Sequence, residues 1–286
     1  MTVEALDEII RGVERLPRLP DTALALVNVV SDPASSIAQI VDTIRYDQAV
    51  TADVLRLCNS AYFGLARRVE SVDDAIRLLG TAKVLQLVMS AHVRSVLCQP
   101  QIGYGLRLDA LWEHSVAVAL GCRNFARRFG LRTLGLAFTL GLLHDVGKVI
   151  LNEYVEEAYL EIVRRVTEEQ LSFVDAEQQV LGFTHAEVGA RLGEVWSLPP
   201  ALIDGIRYHH YPAQRPVPDP LVDSVHLADV TCVLLGVGGG LVDGLAYRAH
   251  PTVLERHALG ERELEAIGAE IVVEMKTVRR LFTGGS

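Results

Sequence analysis

A run of apolar residues, Leu134, Leu136, Phe138, Leu140, Leu142 and Leu143, leads straight into an adjacent histidine and aspartate, His144 and Asp145, followed by Val146, Gly147 and Lys148. Such a run has to be buried. Burying an imidazole beside a carboxylate is costly unless something compensates the pair, and a metal ion is the usual compensator. On a helix, adjacent side chains diverge by about 100°, so His144 and Asp145 can bracket one point from two sides. Lys148, four residues after His144 and three after Asp145, returns to the same face. Gly147 lacks the Cβ that would hold another helix off. Taken alone, the heptapeptide reads equally well as a metal motif or as a helix start with a capping aspartate and a hydrogen-bonded core histidine.

The remaining composition favours helices around it. Half of the 286 residues are apolar, Leu, Ala and Val dominate, and aromatics make up 6%, a balance that suits helix over strand. A net charge of −9 argues against non-specific binding to nucleic acid or to an anionic membrane. Cys58, Cys98, Cys122 and Cys232 are scattered through apolar stretches without a CxxC pair, so they read as core residues of a reducing compartment. The N-terminal stretch MTVEALDEIIRG is acidic and amphipathic and does not read as a signal peptide. No uninterrupted apolar run reaches the ~18 residues of a membrane span. The expected location is the cytoplasm.

The chain begins with a stiff Leu16–Pro20 segment, after which Asp21 can cap a helix over Thr22–Val30 that Asp32-Pro33 stops. Ser36 and Gln39 form a capping box ahead of Ile37, Ile40, Val41 and Ile44 at helical spacing. Asp47 caps a third helix carrying Val50, Val54, Leu57 and Cys58; Ser71 opens a short one that halts at Gly80, and an apolar helix spans about Thr81–Leu97. The Pro- and Gly-rich stretch Gln99–Leu106 is the best internal boundary, dividing an N-terminal helical subdomain, 1–100, from a second, 101–286. In the second, helices are expected over about Leu108–Phe129, Thr133–Tyr154 and Glu156–Glu169, followed by helices capped by Ser172 and by the Thr184/Glu187 box, one from Pro199-Pro200 to Tyr208, one holding His226 and Asp229, and a last one from near Glu261. Residues 212–220 hold four prolines and form a loop, and Gly236–Gly240 is a turn, too isolated for a phosphate loop.

Nine histidines are present. His114, His144, His185, His209 and His210 fall on four separate helix segments among apolar neighbours, joined by Asp145 and by Asp229 on an apolar helix face. One such histidine is usually a satisfied core residue; this many, with two buried aspartates, point to metal. Mixed imidazole and carboxylate donors suit iron, manganese or zinc, and seven ligands suit two ions better than one. Lys148 then serves as a phosphate-binding cation or a charge balancer. His92, His226, His250 and His257 have no such context and read as structural or surface residues, with His226 a second-layer partner for Asp229.

The order His114, His144-Asp145, Asp229 resembles the H…HD…D signature of the HD superfamily of metal-dependent phosphohydrolases. The segments LPRLPDTALAL, SDPASSIAQIVDTIRYDQAVTADVLRLCNSAYFG and SVDDAIRLLGTAKVLQLVMSAHV, continued by GLLHDVGKVIL, THAEVGARLGEVWSLP and IRYHHYP, resemble something narrower, the HDOD family of output domains in bacterial signalling proteins. That resemblance covers roughly residues 10–230, and the tail from LLGVGGGLVDGLAYRA onward resembles a helical extension found in some members. It implies an all-α, HD-like multi-helix fold with an N-terminal helical subdomain and a signalling role exerted through protein contacts. Members often lack part of the metal set. Here His114, His144, Asp145, Lys148, His185, His209, His210 and Asp229 all match positions of the related HD-GYP cyclic-dinucleotide phosphodiesterases. The segment after His210, YPAQRPVPDP, lacks the Glu and Gly-Tyr-Pro stretch of those enzymes, and their glutamate ligand one turn before the first histidine falls at Ala110.

Three functions stay open at the level of sequence. One is a signalling module with a structural or sensory centre of two divalent ions, iron or manganese ahead of zinc, and a protein partner. A second is a metal-dependent phosphohydrolase of a nucleotide or cyclic dinucleotide, with Asp145 and Lys148 at the chemistry. The third is a metal-free scaffold whose histidines are satisfied core residues.

Overall fold

In a computed structural model, described for residues 21–31, 36–45, 47–60, 67–237 and 247–283, every regular element is helical. Five helices form the N-terminal part: α1 (Asp21–Ser31), α2 (Ile37–Arg45), α3 (Gln48–Cys58), α4 (Val72–Leu79) and α5 (Thr81–Leu97). Nine follow: α6 (Ala110–Arg128), α7 (Leu134–Leu143), α8 (Gly147–Glu168), α9 (Phe173–Leu181), α10 (His185–Val195), α11 (Pro200–Tyr208), α12 (Pro220–Leu234), α13 (Pro251–Arg256) and α14 (Glu261–Thr283). The fold is all-α, as the composition and resemblance imply.

Asp21, expected as a cap, is itself the first residue of α1; the other expected caps are made. Val50 N–H donates to Asp47 Oδ1 at 3.0 Å, Asp74 N–H to Ser71 Oγ at 3.1 Å and Asp175 N–H to Ser172 Oγ at 3.1 Å. Thr184 and Glu187 form the full reciprocal box, and Ser36 and Gln39 exchange the equivalent bonds. The apolar spacings also hold: α2 buries Ile40, Val41 and Ile44, and α3 buries Val50, Val54, Leu57 and Cys58. Leu16–Pro20, Asp32-Pro33 and Gly238–Gly240 lie outside the described residues.

Helices α6 and α7 carry the centre of the molecule. Almost every residue of α6 from Ala110 to Ala126 is buried, and α7 is buried from Leu136 onward. They cross closely because Gly141 of α7 lies on the backbone of Ala119; a Cβ there would come within 2.6 Å of the Ala119 Cα. Helix α12 packs on α6 and α7, α14 covers α6 from outside, and α1 and α5 bring the N-terminal part onto α7. One continuous apolar core therefore joins Leu26 of α1 to Met275 of α14. The stretch Leu134–Asn152 has the length and hydropathy of a membrane span, but 78% of it is buried inside the protein.

Two segments differ from the sequence expectation. The helix expected over Thr133–Tyr154 is interrupted at the His-Asp motif, and α8 then runs unbroken through Tyr154–Glu156 to Glu168. His144 and Val146 keep right-handed helical dihedrals, but Val146 N–H bonds Leu143 O and Lys148 N–H bonds Asp145 O. Such i→i+3 bonds tighten the turn as a 3₁₀ helix does. The Gln99–Leu106 stretch is folded: Gln101 and Leu106 exchange both backbone hydrogen bonds around a 3₁₀ turn, Ile102–Tyr104, and Gly103 N–H donates to Asn152 Oδ1 of α8 at 3.0 Å.

Candidate metal centre

Five pieces of backbone deliver the seven expected ligands to one buried place. Helix α6 supplies His114, the tight turn between α7 and α8 supplies His144 and Asp145, and the first residue of α10 is His185. The end of α11 supplies His209 and His210, and α12 supplies Asp229. They form two groups, Asp145 with His185, His209 and His210, and His114 with His144 and Asp229; within each, one potential ligand atom per residue lies within 4.8 Å of the others. All are buried except His210, which is nearly so.

Four of the histidines are locked in one tautomer by what their Nδ1 touches. His144 Nδ1 bonds the carbonyl of Gly141 at 2.8 Å, His209 Nδ1 that of Ile206 at 2.7 Å, and His114 Nδ1 that of Val237 at 2.9 Å. His185 Nδ1 bonds the carboxylate of Glu177 at 2.7 Å. A carbonyl or carboxylate only accepts, so each Nδ1 carries the proton and each Nε2 keeps its lone pair for the centre. That is the tautomer in which histidine ligates through Nε2, with an outer partner fixing the ring.

The lone pairs then face other acceptors. His114 Nε2 stands 3.0 Å from Asp229 Oδ1, and His185 Nε2 stands 2.8 Å from His210 Nε2 and 3.2 Å from Asp145 Oδ1. His144 Nε2 and His209 Nε2 are buried without a hydrogen bond, and Asp145 Oδ2 is met from one side by the Lys148 ammonium. Acceptors facing acceptors in a buried place need positive charge among them. Protons or cations can supply it. Burial works against charging His185, yet the carboxylates of Glu177 and Asp145 outweigh it and raise its pKa to about 9. Burial, with His144 beside it, presses His209 down to about 3, so that ring is held neutral. Burial would raise the two aspartates, but Lys148 and His144 hold Asp145, and His114 and His144 hold Asp229, well below the usual carboxylate range. Two ionised carboxylates and imidazoles that present Nε2 to one place suit a divalent metal, which would take the place of the protons there.

Lys148 closes the inner layer, with its Nζ 2.8 Å from Asp145 Oδ2 and 5.6 Å from the centre of the Tyr104 ring. Ala110, one turn before His114, is buried and offers only a methyl group, so it adds no ligand. The nearby Glu113 pairs instead with Arg107 and Arg279.

Four supporting residues differ from the sequence reading or were absent from it. Glu177 is fully buried and holds three donors: the Tyr104 hydroxyl at 2.6 Å, the His185 backbone N–H at 2.9 Å and His185 Nδ1. Tyr104 comes from the folded 101–106 turn. His226 does not partner Asp229: its Nδ1 donates to the carbonyl of His209 at 2.8 Å and its Nε2 accepts the His250 backbone N–H at 2.9 Å. Tyr247 packs its ring centre 4.9 Å from that of His210; burial and the Asp229 charge push its phenol well above the ordinary value, so it stays protonated. The space left at the centre is about 20 Å³, lined by Lys148, His114, His185, His210, Asp229 and Tyr247 together with Ser172–Val174 and Val233.

Comparison with known proteins finds relatives that share this fold. An uncharacterized protein of Treponema pallidum is 28% identical over 238 residues; the match takes in 80% of this chain but spans only 44% of that relative's length. The crystal structure of an HDOD domain protein of unknown function from Geobacter sulfurreducens superposes with a TM-score of 0.75 at 31% identity, covering 97% of both chains. A protein of Shewanella amazonensis provisionally named a phosphohydrolase superposes with a TM-score of 0.61 at 25% identity, over 92% of this chain and 97% of that one. The HDOD domain matches residues 16–212, from α1 through the His209-His210 pair, and the chain belongs to the HDOD family.

Proposed function

We propose that this HDOD protein is a regulatory module of bacterial signalling, built around a closed centre of two divalent ions, iron or manganese, with its output carried by contacts with a protein partner. The observation that supports this reading is a near-complete set of candidate ligands around very little space. Seven ligands and Lys148 are in place, yet the centre leaves about 20 Å³, against the roughly 300–1,000 Å³ of a site for a drug-sized ligand. The donors fit two sites, Asp145, His185, His209 and His210 at one and His114, His144 and Asp229 at the other, with a carboxylate in each. A bound ion would supply Lewis acidity and hold the five backbone pieces together, since ligation free energy is also folding free energy. Asp145 and Asp229 would offset part of the ions' charge. Lys148 balances Asp145, and Glu177 and the carbonyls of Gly141, Ile206 and Val237 aim the rings.

The phosphohydrolase reading keeps one specific support, the Lys148 ammonium on the cavity wall, where a phosphoryl oxygen would find it. Two measurements separate these functions. Elemental analysis of protein purified without chelator is expected to give close to two ions per chain, and few in the His144→Ala/Asp145→Ala double variant. The metal-loaded protein is then offered cyclic dinucleotides and nucleotides. No turnover fits the regulatory reading, and robust cyclic-dinucleotide hydrolysis would overturn it in favour of an enzyme. A chain without metal in either form leaves a scaffold of satisfied core histidines.

A further inference from the structure

Beyond residue 212, where the family match ends, α12 supplies Asp229, and the chain after α12 touches the centre three more times. The Val237 carbonyl accepts His114 Nδ1–H, the Tyr247 ring lies against His210, and the His250 N–H reaches the His209 carbonyl through His226. Of these, Tyr247 alone points a polar group at the central space. Its side chain is more than nine-tenths buried, and its hydroxyl makes no well-formed hydrogen bond, with the Asp229 carboxylate as the acceptor beside it. A buried donor without a well-formed bond is costly and calls for an acceptor in the space it faces. That space is the 20 Å³ cavity shared with Lys148, His114 and Asp229, about enough for a single water.

Resting on the metal-centre reading, we propose that Tyr247 determines what the centre admits: its hydroxyl donates to one water-sized ligand in the cavity, and its ring is the wall that excludes larger phosphoryl groups. The ligand class is water or a small inorganic anion. Lys148 and Tyr247 supply the donors that such an anion needs, while Phe173 and Val174 offer it nothing polar from their side chains. The position of Tyr247 in the C-terminal extension makes the admitted ligand a property of this chain's tail as well as of the family motif.

Cobalt(II) serves as a spectroscopic probe, since its visible absorption responds to a change of ligand. The parent, Tyr247→Phe and Tyr247→Ala proteins are loaded with cobalt(II), their metal content is measured, and each is titrated with fluoride and with phenyl phosphate. Fluoride is expected to perturb the parent spectrum and phenyl phosphate to leave it unchanged. Tyr247→Phe keeps the ring and loses the donor, so fluoride should bind about tenfold more weakly with phenyl phosphate still excluded. Tyr247→Ala should admit phenyl phosphate. Unchanged fluoride affinity in Tyr247→Phe overturns the hydrogen-bonding role, and phenyl phosphate binding equally to parent and Tyr247→Ala overturns the wall. If Tyr247→Ala does not fold, phenyl phosphate perturbing the parent or Tyr247→Phe overturns the wall, and its exclusion from both is the supporting result. A parent that takes up no cobalt fails at the metal reading itself and takes this inference with it; a parent that loads fully and fails the titrations fails here alone.

Discussion

Gly147 and His185 meet backbone to backbone: a side-chain carbon added at Gly147 would collide with the His185 carbonyl oxygen and stand 2.7 Å from the Gly189 amide nitrogen. The glycine of the central motif is therefore the contact that seats α10, with His185 at its first turn, against the turn that carries His144 and Asp145. Sequence and site are joined here by one missing methyl group.

Gly147→Ala is expected to separate that contact. Helix propensity alone would favour alanine by about 1 kcal/mol. Overpacking against backbone, which cannot rotate away, costs up to about 3 kcal/mol. The net expectation is a loss of about 2 kcal/mol in denaturant unfolding, with metal content falling as His185 is pushed away from Asp145. A variant as stable as the parent, with metal intact, would show that α10 can shift without disturbing the site.

Metal removal should be visible without any assay of turnover. A ligand that binds only the folded chain stabilises it by about 2.7 kcal/mol at a hundredfold excess over Kd, which for a chain of this length is a Tm change of roughly 4–5 °C. Chelator treatment should lower the parent's Tm by that order and added manganese(II) should restore it. The His144→Ala/Asp145→Ala variant should respond to neither. A parent whose Tm ignores both chelator and metal would count against ligation.

The parts of this arrangement legible in the sequence are those with local signals. Asp47, Ser71, Ser172 and Thr184 announce helix starts because an N-cap acts within three residues, and Ile40, Val41 and Ile44 announce a buried face because helical spacing is local. The candidate ligands were legible for a related reason: His114, His144 and Asp229 are polar intrusions on apolar faces. Tyr104 and Tyr247 carried no such mark, since a tyrosine among apolar residues reads as core and its partners lie far away in the chain. Glu177 had a faint one. Phe173, Glu177 and Leu181 share a face at i, i+4 and i+8, and a charge on that stripe signals a buried partner. The interruption at His144–Val146 was hidden because tightening a helical turn changes hydrogen bonding without changing which residues are apolar.

Glu177 should matter to affinity more than to folding. Glu177→Gln keeps an oxygen for one donor but brings an NH₂ group among three donors, and it removes the negative charge behind the His185 ring. Outer partners of metal-bound histidines typically account for 10–100-fold in affinity, so a metal-competition titration should show a loss in that range. Tyr104→Phe removes one donor from the same carboxylate and leaves its charge. It should cost about 1 kcal/mol of stability with affinity nearly unchanged. Equal losses of metal affinity in the two variants would mean that the charge of Glu177 is not what orients and strengthens His185.

Lys148 gives the sharpest separation between a metal centre and a metal-free core. Its ammonium is 2.8 Å from Asp145 Oδ2, and both side chains are under one-tenth exposed. Lys148→Met preserves length and apolar volume while leaving Asp145 without that compensating charge. In a metal-free protein, breaking a buried pair in this way costs about 3–5 kcal/mol. With metal bound, the ions themselves compensate the carboxylate, and Lys148 is not among the ligands. Unfolding of Lys148→Met should therefore show a loss of about 3 kcal/mol in chelator-treated protein and a much smaller one in metal-loaded protein, with metal content close to that of the parent. Equal losses in the two forms would mean that no ion shares Asp145 with the lysine.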